Sequence, residues 1–331
     1  MESNKKRILT FIGNYAIFIV LVAILIIFSI FAPHFLELNN FFNVSRQIAT
    51  LGIGAVALAP VLITGGIDLS IGYQISLVNV SIAWLMVYGK VNPVLATLCG
   101  ILLGTAMGFI NGAIIVKSGV APMIVTLAIM NTLNGVSYII SKGIPIFGFP
   151  SSFSILGQGK IGGVPVSLII MAIIFVFGAI LLNKAYVGRY FYAIGSNEEA
   201  AKLSGISVGK IKIFAYTLCG FLCSIGAVLL LSRTNSGLSS NGAGYEFNII
   251  TACVLGGIST TGGKGTIFGA LVGVLIVGFL DNGLLLMNVN QYSQLVIKGI
   301  LMLLAVVYDT QMHKRNEEVK KIKAINANNE V

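Results

Sequence analysis

The first residues to raise a chemical question lie in ITGGIDLSIGYQISL, Ile63 to Leu77. A carboxylate, Asp68, follows paired glycines there and precedes an apolar run speckled with hydroxyls and amides. An ionisable group in such surroundings caps a helix, lines a polar pathway or binds a coupling ion. Gly65 and Gly66 are placed to end an incoming helix, so that Asp68 or Ser70 caps the next by accepting its unpaired N–H groups. Beyond the cap, Gly72, Ser76 and Asn79 fall on one helical face, joined obliquely by Gln74 and Ser81. That face is too polar for lipid, and two uses stay open for it: a wet passage, or hydrogen bonding between helices.

A second stretch is YFYAIGSNEEAAKLSGISVGKIK, Tyr190 to Lys212. Ser196 and Glu199 have the Ser-x-x-Glu spacing of a capping box. It predicts a short helix from about Asn197 through Ala200 and Ala201, with Glu198 and Glu199 at its positive end and Gly205 as its stop. Such a helix between basic flanks is either a plain surface element or a handle for another protein.

The glycine-rich run Val254 to Gly269 does not satisfy the phosphate-loop pattern, because Gly265 follows Lys264 where a hydroxyl is required. It reads as a re-entrant or broken-helix turn with Lys264 facing water or anionic headgroups. Asp281 and Lys298 stand in successive apolar runs at depths that allow a pair. His34 and His313 are the only histidines. No Ser-His-Asp set, zinc cluster or pair of acids comes together in the sequence, so the chain reads as no enzyme. Cys99, Cys219, Cys223 and Cys253 lie in apolar runs without metal-type spacing and read as small core residues.

The elements that must position these residues follow from composition. Of 331 residues, 56% are hydrophobic and only 10% charged, and the mean hydropathy is +0.94. That excludes a soluble globular protein and gives an all-α, polytopic membrane protein. A spanning helix needs roughly 20 mostly apolar residues. Runs of that kind predict about ten spans, at 8–31, 45–63, 69–88, 94–116, 120–140, 165–183, 211–232, 247–262, 265–287 and 293–308. One membrane domain covers 1–331: a membrane region over 8–308, a polar inner segment over 184–212, and a polar tail over 309–331 expected to be frayed or disordered. With a cytoplasmic N-terminus, only Arg46, Lys90, Lys142, Lys160, Arg233 and Lys298 remain for the outside or the membrane. The excess of positive residues inside places both termini in the cytoplasm. The net charge of +10 is therefore a matter of topology. It lies in loops and tails rather than on a nucleic-acid-binding surface.

GILLGTAMGFINGAII (Gly100 to Ile115) resembles GALVGVLIVGFLDNGLLL (Gly269 to Leu286), and the two copies run in opposite directions in this topology. The expectation is an inverted repeat relating 94–140 to 265–308. Its glycine stripes, Gly100, Gly104, Gly108 and Gly112 in one copy and Gly265, Gly269 and Gly273 in the other, suit close helix packing.

Four stretches carry a family likeness. GGIDLSIG (65–72), GRYFYAIGSNEEAAKLSGI (188–206), GAGYEFNIITACVLGGISTTGGKG (242–265) and GFLDNGLLL followed by VIKGILMLLAVVYD (278–286 and 296–309) resemble the ribose-type sugar permeases of bacterial ATP-binding-cassette importers, within the branched-chain amino acid/ribose-type permease family. The likeness spans nearly the whole chain. It implies a homodimeric passage, or one shared with a close paralogue, in the bacterial inner membrane, served by cytoplasmic ATPases and an extracytoplasmic sugar-binding protein. It also implies that Asn197 to Gly205 is the segment that docks on the ATPase. No cofactor is expected on this chain, ATP being hydrolysed by the partner. Ribose permeases are the nearest likeness, with galactoside, xylose and autoinducer-2 permeases sharing the motifs. A secondary transporter driven by an ion at Asp68 or Asp281 is the rival expectation.

Overall fold

The computed structural model describes residues 2–329, with side-chain surroundings described for 17–311 except Tyr308. The helices are α1 (Glu2–Phe31), α2 (Leu38–Ile63), α3 (Ile71–Val87), α4 (Pro93–Ser118), α5 (Pro122–Ser141), α6 (Ile155–Gln158), α7 (Val166–Asn183), α8 (Tyr186–Ser196), α9 (Glu198–Leu203), α10 (Val208–Thr234), α11 (Tyr245–Leu255), α12 (Ile267–Leu286) and α13 (Gln291–Asn329). Two short strands, β1 (Lys160–Ile161) and β2 (Val164–Pro165), pair antiparallel in the connection before α7.

Seven of the described helices are long and apolar enough to cross a membrane, and three shorter apolar helices account for the rest of the ten expected segments. The fold is polytopic and all-helical. Three boundaries differ from expectation. Helix α2 begins at Leu38 rather than 45, because Glu37 supplies an extended N-terminal residue and Asn40 already turns inward. Helix α11 stops at Leu255 rather than 262, where Gly256 and the left-handed Gly257 break it. The backbone of α13 is helical through Asn329, beyond the expected span end at 308, and its side chains from 312 onward lie outside the described residues.

Helix α2 is the central element: 89% of its apolar window is buried inside the protein. Helix α10 packs beside it, and α4, α5 and α7 lie at the periphery with large exposed apolar faces. Close approach of α4 to α10 depends on Gly104, Gly108 and Gly112. A Cβ on Gly108 would stand 3.0 Å from the Gly220 Cα and strike the Tyr216 carbonyl. On the other copy of the expected repeat, Gly269 and Gly273 press α12 against the carbonyls of Gly256 and Ala252 on and just beyond α11. The copies also share a tether. Asn111 in α4 donates to Ser70 Oγ at 2.7 Å just past the C-terminal end of α2. Asn282 in α12 exchanges two 2.9 Å bonds with Asn40 at the opposite end of α2. Asn111 thus holds the link between α2 and α3, and Asn282 holds the start of α2.

Candidate functional site

Helix α2 ends as its sequence dictates. Thr64 closes it, Gly65 turns left-handed at φ 80°, and Gly66 N–H returns to Val61 O at 3.0 Å. Gly65 is the position that needs a glycine, since an L side chain is strained there. Asp68 is then fully buried, and its Oδ1 accepts from the Ser70 amide at 2.9 Å and the Ser70 hydroxyl at 2.6 Å. Ser70 occupies the N-terminal cap position of α3 but gives α3 no side-chain bond; its hydroxyl is taken by Asp68 and accepts from Asn111. The expectation of an ordinary Asp68 or Ser70 cap is corrected accordingly. The carboxylate ties the break to α4 instead of satisfying the first turn of α3.

Gly72, Ser76 and Asn79 do share one face of α3, and that face is sealed by the chain itself. Ser76 Oγ accepts from Gly242 N at 2.9 Å, and Asn79 Oδ1 from Leu238 N and Asn241 Nδ2 at 3.3 Å each. Any Cβ on Gly72 would collide with Glu246 and the Gly242 carbonyl. Gln74, on the neighbouring side, donates to Gly104 O at 2.6 Å. In this conformation the polar stripe holds helices together, with the irregular backbone of 235–244 packed over it and Ser236, Gly237, Ser239 and Gly242 buried. That is how non-helical chain is tolerated at membrane depth.

The second stretch divides into two helices at Asn197. Ser196 is the last residue of α8, so no Ser196–Glu199 capping box forms. Asn197 is the cap of α9, its Oδ1 accepting from Ala200 N at 2.9 Å. Both residue types cap well, and the extended backbone of Asn197 (φ −163°) decides between them. Ala201 is buried under α9, and Gly205, left-handed at φ 82°, ends the turn as expected. Glu198 bridges Lys202 at 2.9 Å and Lys212 at 2.6 Å, whereas Glu199 and Leu203 face outward, Leu203 being 90% exposed.

These lysines, Lys212 foremost, hold the Glu198 carboxyl below the usual carboxylate range. A lowered folded pKa means that the stabilisation is present above the unfolded value, about 4.3, and is lost as pH falls through the folded one. Because Glu198 is two-fifths exposed, the effect is small. Hydrogen exchange of the α9 amides, corrected for intrinsic rates, should therefore speed up only at acid pH. In Glu198→Gln that pH dependence should vanish; an identical acid profile in the variant would contradict the assignment.

Several contacts that join these elements escaped the sequence. Gly195, near the end of α8, lies against the Ile63 carbonyl and the Gly263 amide, which are themselves hydrogen-bonded at 2.9 Å. The turn between α11 and α12 is thereby wedged between α8 and the end of α2. The same turn is gripped by Asp309 in α13, whose Oδ2 accepts from Thr260 N at 3.2 Å and Thr260 Oγ1 at 3.1 Å. Further along α13, Lys298 pairs with Asp281 at 3.0 Å, both largely buried, as their spacing suggested. Helices α8 and α9, the 256–266 turn and α13 thus form one contiguous chain of contacts. Lys264 is exposed on that turn.

The branched-chain amino acid transport system / permease component family model matches residues 40–306. The chain is 41% identical over 297 residues to the ribose import permease protein RbsC of Escherichia coli (strain K12), covering 88% of this chain and 92% of that one. It is 44% identical over 294 residues to RbsC of Bacillus subtilis (strain 168), covering 88% and 91%. Over 336 residues it is 36% identical to the galactose/methyl galactoside import permease protein MglC of Escherichia coli (strain K12), covering 95% and 99%. No solved structure matches it at a significant level.

Proposed function

The chain belongs to the branched-chain amino acid transport system / permease component family, and from that premise we propose that it is the membrane-spanning subunit of an ATP-driven importer for ribose. The observation that carries the mechanism is the wedge at Gly195. A surface helix with an outward Glu199 and Leu203 leads, through backbone contacts alone, to the glycine-broken end of the central helix. Such a handle suits a partner that supplies motion.

In this reading α9 with its flanks docks on a cytoplasmic ATPase, which binds and hydrolyses ATP; this chain holds none. Both termini face the cytoplasm of the bacterial inner membrane, and an extracytoplasmic sugar-binding protein delivers solute to the opposite end of the bundle. A second permease copy completes the passage, since the polar stripe of α3 is closed within one protomer and much of the apolar surface of α13 is uncovered by its own chain. ATP-driven closure of the ATPases moves α9, and the 256–266 turn passes that motion to α13 through Asp309.

The test is uptake of radiolabelled ribose into liposomes containing the permease, its ATPase and its binding protein. Reversing charge with Glu198→Lys and Glu199→Lys together is expected to release the ATPase on purification and cut uptake at least about tenfold, equivalent to ~1.4 kcal/mol of coupling. Insertion should be unchanged. Ribose uptake by the permease alone under a proton or sodium gradient, without ATPase, would overturn the proposal.

A further inference from the structure

Helix α11 has 11 residues, a length of about 16 Å at 1.5 Å per residue. It cannot cross a bilayer alone. It begins after the partly buried irregular segment 235–244, a break of the kind that builds solute sites in membrane transporters. Between it and α13 lies a cavity of about 570 Å³, within the range of small-molecule sites.

The lining is a pair of facing stripes. On α11 they are Phe247, Asn248 and Thr251; on α13 they are Gln294, Lys298 and Met302. Phe247 and Asn248 stand four and three residues before Thr251, and Gln294, Lys298 and Met302 follow one another at four, so each stripe follows one helix face. The side chain of Asn248 has no hydrogen-bond partner among the described residues, and Gln294 spends only its Nε2 donor, on Val289 O at 2.9 Å. Thr251 donates to Phe247 O at 2.7 Å and keeps acceptor capacity. Amides left free in an apolar helix are costly unless they face water or solute. The one cation of the lining, Lys298, is neutralised by Asp281 at 3.0 Å. The cavity therefore offers neutral donors and acceptors beside the apolar surfaces of Phe247 and Met302. Beyond Met302, Ala305 is buried in the core.

We propose that this cleft holds the uncharged, hydroxyl-rich solute in transit, with Asn248, Thr251 and Gln294 setting specificity; the inference rests on the importer reading above. Scattered single hydrogen bonds make a site weak enough to leave, which passage requires. A charged solute would have to break the Lys298–Asp281 pair.

The experiment uses the complete importer in proteoliposomes, with the exposed Cys99 replaced by serine. A membrane-impermeant charged methanethiosulfonate is added on the binding-protein side. Asn248→Cys and Gln294→Cys should label at least about tenfold faster than Ile173→Cys, which faces lipid. Asn248→Leu and Gln294→Leu should each lower ribose uptake at least about tenfold, at unchanged membrane level and ATPase co-purification, while Asn248→Gln restores part of it. Phe247→Ala should raise galactose uptake relative to ribose. Slow labelling at both positions overturns the proposal, as does labelling combined with undiminished uptake in the leucine variants. Fast labelling in an importer that moves no sugar on ATP overturns the importer reading and the assignment of a solute with it, leaving only a wet cleft.

Discussion

Gly195→Ala is expected to abolish most transport while leaving the protein inserted and the ATPase bound. The added methyl would occupy the space of the Ile63 carbonyl and the Gly263 amide, both backbone, so no side chain can rotate away. Either α8 lifts off the end of α2 or the 2.9 Å bond between Gly263 and Ile63 breaks. Overpacking of this sort costs typically ~1–3 kcal/mol, which lowers the population of the coupled arrangement by roughly 5- to 150-fold. Helix α9 keeps its Asn197 cap and its Glu198–Lys212 pair, so ATPase docking should survive. Ribose uptake and ATPase co-purification measured side by side check this; uptake within about twofold of the unmodified importer would remove Gly195 from the transmission path. Gly205→Ala is a useful contrast, because nothing lies within 4 Å of its would-be Cβ and only the backbone strain of φ 82° opposes it.

Asp68 separates the importer from an ion-coupled carrier. Replacement by leucine strands the Ser70 amide, the Ser70 hydroxyl and part of the Asn111 amide group in a fully buried site. Each orphan costs ~1–3 kcal/mol, so Asp68→Leu should lose the fold, seen as little folded protein in the membrane. Asp68→Asn retains the oxygen that Ser70 needs. Its new amide can meet the side-chain carbonyl of Asn111, which has no partner among the described residues. Near-native ATP-driven uptake is the expected result for Asn. Loss of uptake by a well-folded Asp68→Asn would instead point to a carboxylate that must carry charge, and so to ion coupling.

The positions of the helices were legible because a lipid-facing chain writes its spans as apolar runs and its breaks as glycines. Gly65 and Gly205 both turn left-handed where the sequence places an end, whereas Gly257 breaks α11 inside a run read as one span through 262. The Asp281–Lys298 pair was legible for a related reason, since two opposite charges in adjacent apolar runs have few other partners. The use of the α3 stripe was not. Gly72, Ser76 and Asn79 show that the face is polar, but their partners lie more than 150 positions away at 238–246, and no local pattern announces them. Gly195 looked like one small residue among 39 glycines, and only the fold reveals the carbonyl above it. Asn197 and Ser196 are adjacent, capable caps, and tertiary placement of α8 chose between them. The α11–α13 cleft was hidden twice over: Asn248 stood in a run taken as an ordinary span, and Gln294 at the head of another.

The short α11 and the irregular, partly buried 235–244 segment have a bearing on the surrounding lipid. Thickness of the hydrocarbon slab is felt by the peripheral helices α4, α5 and α7, which expose most of their length and adjust to it by tilting. Helix α3 sits behind α4 and α5, and α11 packs on α12 and α2, so acyl-chain length should alter how the peripheral helices lean without stretching the broken backbone. The molecule thus carries its own internal depth scale, and membranes of different composition can host the same moving parts.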